Sequence, residues 1–433
     1  MPSISVEALY DIFLQHPYIT TDTRKINQGD IFFALKGHNF NANDFSLQAI
    51  KEGAAYAVVD DATLPPHDQF LFCDDVLTML QNLAGFHRNK FSIPIIAITG
   101  SNGKTTTKEL VHTVLSAKYK TSTTQGNLNN HIGIPLTLLR VPPDAEMVVV
   151  EMGANHQKEI EGYCTYAKPT HGMITNCGKA HLEGFGGEAG VRKGKGELFD
   201  FLKENHSHAF VCMDFDYFHS MVEDRNMNQV IWYGMSKNAT ITGHVLSAAP
   251  FLQVEITDGF AKPLIIETQL VGDYNLFNIL AAVTIGQYFG VSSSEIQNAI
   301  AGYHPDNSRS QLIKAGGNTI ILDAYNANPS SMTAAITNFA HLQADKKILM
   351  LGAMAELGEE SLEEHKSLVA LIDQYEWDKV VLVGGDFGKV THKYIWFETS
   401  AEAATWWKAQ KMERVYLLLK GSRSMAMEKV LAK

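Results

Sequence analysis

Cysteine is scarce in this chain: Cys73, Cys164, Cys177 and Cys212 are the only four in 433 residues, and no two stand in C-x-x-C spacing. So few cannot form a disulfide framework at this length, and a reducing cytoplasmic setting is expected. Long apolar runs are also missing. PIIAI and MVVV stop far short of the roughly 18 residues that a membrane span needs, so no membrane insertion is expected. The opening MPSISVEALYDIFLQ shows no basic segment leading into an apolar one, which argues against a secretory leader. Positive charge is in deficit, with 36 Lys and Arg against 47 Asp and Glu, a formal net charge of −11. An acidic chain binds polyanions poorly, so neither nucleic acid nor an anionic membrane is expected as a partner.

What is present is an ordinary globular composition, 45% hydrophobic and 19% charged. At about 150 residues per domain the length predicts roughly three domains, and a monomer is the simplest expectation. Residues 1–88 read as a small α/β unit, with IFFAL as a buried strand between two turns and a helix stopped by Gly53. Residues 89–305 alternate strand and helix, which implies a mostly parallel sheet, with an antiparallel patch between about 229 and 270. Residues 306–433 carry the strands TIILD, KILMLG, KVVLVG and VYLLL, with helices expected near 329–341, 361–375, 400–409 and 423–432. That rhythm predicts a doubly wound, dinucleotide-fold-like domain. The fold class is therefore α/β in three domains, with a hinge at His304-Pro305-Asp306-Asn307.

The strongest chemical signal is Thr99-Gly100-Ser101-Asn102-Gly103-Lys104-Thr105-Thr106-Thr107, placed after a strand and at the start of a helix. Glycines admit close approach of phosphate to backbone amides, the helix N-terminus favours anions, Lys104 neutralises phosphate charge, and the Thr105 hydroxyl suits Mg²⁺. The strict P-loop pattern is broken at its first glycine position, which is Ile98. Glu151 closes the apolar strand MVVV, where a carboxylate can reach a metal beside the loop. By spacing alone His181 and Lys195 are weak candidates, and a neutral histidine suits softer metals than Mg²⁺. Asn275 and Asn278 share a helix face and either contact a base or ribose, or cap the helix. Arg309 is expected to start a strand. Asp323, Asn326 and Asn328 follow a strand and precede a helix, the ligand-binding edge of a doubly wound sheet. Lys420 and Arg423 lie in a further strand-to-helix loop facing a potential anion.

Assembled, these motifs resemble the Mur ligase family of ATP-dependent amide-forming enzymes of peptidoglycan precursor synthesis. The resemblance runs through TGSNGKTTT, EMGANHQKEI, TNCGKAHLEGFGG, the lysine before GELF, and GDYNLFNILAA, in which Tyr274 stands where a histidine is usual. DTRKINQGDIFFALKGHNFNANDF, DAYNANPSSM, LGAMAELGEES and LLLKGSRSMAME point to the member that joins D-alanyl-D-alanine to UDP-N-acetylmuramoyl-tripeptide, although Ala353 replaces the usual aspartate. The resemblance implies a ligase that forms ADP and phosphate, and catalysis by Lys104, Glu151, His181 and Lys195. It implies ATP held by Gly100, Ser101, Asn102, Gly103, Lys104, Thr105, Thr106, Asn275, Asn278, Arg309 and Asp323. Two Mg²⁺ would be bound through Thr105, Glu151, His181 and a carbamylated Lys195. Thr23, Arg24, Lys36 and Gly37 would meet the UDP group, Asn129 and Asn130 the muramoyl-peptide, and Asn326 and Asn328 the peptide or dipeptide. The nearest alternative is another ligase of the family, MurE-like or folylpolyglutamate synthase-like. A P-loop ATPase acting on a macromolecule is disfavoured by the acidic charge and by the lack of a D-E-x-x segment after a strand.

Overall fold

The computed structural model describes residues 3–37, 39–305 and 309–431. Among the described residues three main sheets carry the chain, beside a two-stranded antiparallel ribbon of Lys36–Gly37 and Phe40–Asn41. The first is all parallel, in the order Ile19–Thr20, Ile31–Phe33, Tyr56–Val59 and Phe70–Phe72. Its middle strands are apolar and buried, as expected where helices cover a parallel sheet.

The second sheet has nine strands. In it β1 (Ile95–Thr99), which runs into helix α1 (Lys104–Ser116), lies between β2 (Met147–Glu151) and β3 (His171–Ile174), all parallel. Every residue of β1 and β2 is buried, so no alternation of polar and apolar positions marks them. The register sets Ile98 against Glu151 and Thr99 against Ile174, so the carboxyl ends of the three strands meet at the start of α1. The antiparallel patch is confined to Ile241–Ser247, Gln253–Asp258 and Leu264–Glu267, because Val230–Gly234 still pairs in parallel. Helix α2 (Glu188–Glu204) and the apolar helix α3 (Leu276–Tyr288) flank this sheet.

The third sheet begins with Gln311–Ala315 antiparallel to β4 (Asn318–Asp323), and α4 (Pro329–His341) follows that strand. The remaining strands, β5 (Lys347–Gly352), Lys379–Val383, Ile395–Phe397 and β6 (Tyr416–Lys420), are parallel, with β6 inserted between β4 and β5. Arg309 lies in a bend before the first strand instead of starting it. The helix expected over 423–432 is two short 3₁₀ turns, Arg423–Met425 and Met427–Leu431, because Ala426 between them adopts a left-handed φ of +47°. Asp306 and Asn307 of the expected hinge lie outside the described residues. A single buried apolar cluster joins all three sheets, from Leu9 and Leu80 through Ile98 and Phe199 to Ala327, Met332 and Leu357.

Candidate active site

A cleft of about 800 Å³ opens at the carboxyl ends of the central strands and is closed from above by the last domain. Its floor is the loop between β1 and α1. Gly100 has a φ of +142°, and a Cβ there would stand 2.0 Å from Thr175 Oγ1. Gly103 has a φ of +79°, and a Cβ there would stand 2.6 Å from Asn278 Oδ1. Both positions therefore need glycine.

The segment after β3 shapes this loop, and sequence reasoning missed its part. The amides of Ser101 and Asn102, expected to face phosphate, instead donate to Asn176, to its backbone O at 2.9 Å and its Oδ1 at 3.0 Å. Thr175 Oγ1 donates to Asn102 O at 2.6 Å, and Ser101 Oγ donates to Gly178 O at 2.8 Å. Anion binding then falls to the first-turn amides of α1, which a helix cannot satisfy internally. The TNCGK segment itself was the available signal.

Lys104 is half-buried at the start of α1, and its Nζ donates to Gly100 O at 2.6 Å and Ser101 O at 3.2 Å. Burial pulls its pKa down to about 8, opposed by the charge of Glu151 and assisted by that of Arg309. Glu151 is buried at the end of β2. Its amide donates to Thr124 Oγ1 at 3.0 Å, and its Oε1 accepts from Asn129 Nδ2 at 2.7 Å. Among the described residues its Oε2 is buried without a partner. A bare buried carboxylate oxygen in the same cleft as the buried Thr105 fits a hard cation. Among the described residues no three His, Cys, Asp or Glu side chains cluster as a complete metal cage. Mg²⁺ does not require one, since it is usually held by one or two carboxylates together with substrate phosphates.

His181 lines the cleft from a left-handed position, φ +52°, and its Nδ1 lies 2.5 Å from Glu356 Oε2 of the last domain. The contact is close but lacks the alignment of a good hydrogen bond. Lys195 on α2 is 1% exposed and sits just behind the cleft wall. Its Nζ donates to Ala154 O at 3.1 Å and lies 4.9 Å from the centre of the Phe185 ring. Burial and the charge of Lys104 pull its pKa down to about 7. Lys193, its sequence neighbour, is exposed.

Asn275 and Asn278 face the cleft, and neither caps α3. Asn278 Nδ2 donates to Asn275 Oδ1 at 2.8 Å, and Asn278 Oδ1 accepts from Thr107 Oγ1 at 3.0 Å, which ties α3 to α1. Tyr274 OH meets Ser310 Oγ at 2.9 Å across the two domains. On the upper wall the Arg309 guanidinium stacks over Tyr325 at 3.7 Å, with Nε buried and without a partner among the described residues. Asp323 accepts from Lys420 Nζ at 2.5 Å, its partner in the β4–β6 register. Asn326 Oδ1 accepts from the amide of Ala327 at 2.9 Å. Asn328 caps α4 and donates through Nδ2 to Asn102 Oδ1 at 2.7 Å.

The structure does not bring every expected site residue together. Thr23, Arg24, Lys36 and Gly37 do not line the cleft. Arg24 pairs with Asp22 at 2.8 Å and Lys36 with Asp60 at 2.9 Å. Asn130 lines the cleft, but its Oδ1 accepts from the amide of Gly133 at 2.9 Å at the start of the next helix. Ala353 is buried; its carbonyl accepts from Ser422 Oγ at 2.6 Å, so its place is structural.

Three family models cover this architecture in order: the Mur ligase family catalytic domain over residues 17–85, the Mur ligase middle domain over 98–286, and the Mur ligase glutamate ligase domain over 308–423. The chain belongs to the Mur ligase family. This Mur ligase is 35% identical to the UDP-N-acetylmuramoyl-tripeptide–D-alanyl-D-alanine ligase of Bacillus subtilis, over 84% of this chain and 79% of the relative. It is 34% identical to the ligase of the same name from Escherichia coli, over 95% of this chain and 92% of the relative. Its fold matches the MurF ligase of Thermotoga maritima, solved in complex with ADP, with a TM-score of 0.86 and 25% identity over 96% of this chain and 97% of that one. These relatives place this Mur ligase on the MurF branch. Among the described residues no helix is long and apolar enough to cross a membrane.

Proposed function

We propose that this Mur ligase joins D-alanyl-D-alanine to UDP-N-acetylmuramoyl-tripeptide at the expense of ATP, in the cytoplasmic synthesis of peptidoglycan precursors. The observation that carries the reading is the meeting, in one cleft, of Lys104 and the α1 amides with the unpartnered oxygen of Glu151, under a wall from another domain. The relatives' names supply the substrates.

A carboxylate is a poor acylating agent because oxide is a poor leaving group. Transfer of the γ-phosphoryl group of ATP to the tripeptide carboxylate makes an acyl phosphate and ADP. The dipeptide amine then attacks the carbonyl carbon, the amide forms and phosphate leaves. Lys104 and the first-turn amides of α1 hold the transferring phosphoryl group, and Arg309 reaches it from the last domain, so positioning and charge stabilisation supply most of the rate. Glu151 and Thr105 would hold one Mg²⁺, and His181 with a carbamylated Lys195 a second. When bound, these ions neutralise the charge that gathers between phosphate and carboxylate. Asn129 keeps Glu151 aimed. Asn275, Asn278 and Asp323 flank the nucleotide, and Asn130, Asn326 and Asn328 flank the peptide. Thr23, Arg24, Lys36 and Gly37, on the first domain, hold the UDP group. The low pKa of Lys195 supports its modification, because only the neutral amine attacks CO₂.

Phosphate release measured with a panel of UDP-muramoyl peptides and candidate amines tests the reading. Turnover should require a tripeptide and D-alanyl-D-alanine together. Turnover with a dipeptide substrate and a single amino acid would assign another branch of the family.

A further inference from the structure

We infer that Glu356 is a positioning residue for His181, carried on the last domain so that the histidine is set only when that domain closes over the central one. Nothing in the local sequence joins the two, which lie 175 positions apart in loops of different domains. In space His181 Nδ1 and Glu356 Oε2 are 2.5 Å apart. Glu356 does not line the cleft, whereas His181 does, so the carboxylate acts through the imidazole and not on the substrates.

Backbone geometry makes the contact more than two side chains meeting by chance. His181 and Glu356 both adopt left-handed conformations, φ +52° and +61°, which residues bearing a Cβ rarely take. Such conformations persist where the surroundings over-determine them, and here they do so on both sides of one junction. The next residues, Leu182 and Leu357, are buried at 3% and 2% exposure and hold each turn in place. Lys179 secures the same junction: its amide donates to Ser330 Oγ at 2.9 Å and its Nζ to Glu364 at 2.7 Å.

A carboxylate oxygen 2.5 Å from Nδ1 repels a lone pair on that nitrogen, which favours the proton there and leaves Nε2 as the free lone pair of the ring. Carboxylate partners of this kind orient metal-binding histidines, and their loss costs about 10- to 100-fold in metal affinity or activity. Resting on the reading proposed above, the pair makes the second cation site responsive to domain closure. An open enzyme would keep its α1 loop and Glu151 intact but would hold His181 without its orienting partner.

The test compares Glu356→Ala, Glu356→Gln and the exposed control Glu363→Gln. Ring ¹⁵N spectra of labelled protein, with the His181 signals identified by their loss in His181→Gln, report the tautomer without any need for turnover. Wild-type His181 should carry its proton on Nδ1, and Glu356→Ala should shift it to a mixture of tautomers. In ligation assays Glu356→Ala should lower kcat about 10- to 100-fold and raise the half-saturating Mg²⁺ concentration by a similar factor, with KM for ATP within about threefold of wild type. Glu356→Gln keeps an oxygen acceptor and should recover most of the loss, and Glu363→Gln should match wild type. A folded Glu356→Ala with unchanged His181 ring signals and unchanged Mg²⁺ dependence would overturn the inference while leaving the function standing. Wild-type protein that ligates nothing would overturn the function while the tautomer readout still decided this contact.

Discussion

The lower and upper walls of the cleft present polar groups of similar kind but fix them differently. On the central-domain side, Ser101, Asn102 and Glu151 are held by neighbours in the same domain, Asn176, Thr175, Thr124 and Asn129. That wall is organised before anything meets it. On the upper side Asp323 is held by Lys420 within its own sheet, but Asn328, Ser310 and Glu356 also reach across to partners on the opposite domain. The lower wall is a preorganised phosphate site, and the upper wall is a set of latches. Chemistry should therefore fail outright when the lower wall is cut, and become conditional on closure when the upper wall is cut.

The largest effect is expected from Lys104→Ala. Removing a charge aimed at the transferring phosphoryl group should slow ligation by about 10²- to 10³-fold. Its side chain is only half-buried, so the thermal midpoint should stay near wild type. Phosphate release together with a melting curve checks both halves, and wild-type turnover would break the comparison.

Next comes Lys195→Ala, which should lose most activity, while Lys193→Ala on the exposed face should be nearly silent. Because burial places the Lys195 pKa at about 7, its neutral fraction grows as pH rises through neutrality. At a fixed level of dissolved CO₂, the carbamate signal from ¹³C-labelled CO₂ should grow in the same direction. A signal that fell with rising pH, or that survived in Lys195→Ala, would refute the assignment.

Asn328→Ala removes both the α4 cap and the bond to Asn102. The cap alone should cost about 1 kcal/mol, read by chemical denaturation. Small-angle scattering should show a larger radius of gyration than wild type. The smallest effect is expected from Tyr274→Phe, which removes one bridging hydroxyl worth about 1 kcal/mol or less. Its ATP-site chemistry should be intact, with a modest shift toward the open form. An effect on kcat as large as that of Lys104→Ala would mean that the latches and the phosphate site are not separable.

This division also explains what the sequence disclosed. The lower wall was legible because its parts are local: glycines, a lysine and threonines in one loop, and a glutamate at a strand end. The three-sheet α/β architecture was legible from the strand–helix rhythm. The partners of the upper wall were not, because Glu356 and His181 meet only through tertiary packing. The roles of Thr175 and Asn176 were hidden for a related reason, since a short Thr-Asn turn reads as loop chemistry until its register beside β1 is known. The failed helix after Ser422 came from one left-handed alanine, which no propensity scale anticipates.

The apolar cluster that joins all three sheets has a thermal consequence. Opening the last domain would wet side chains such as Ala327, Met332 and Leu357, which now belong to a core shared with the central domain. Ligands that draw the domain shut should therefore bind with a negative heat-capacity change. Cooling weakens apolar burial, so the junction between domains should loosen in the cold before any single domain melts.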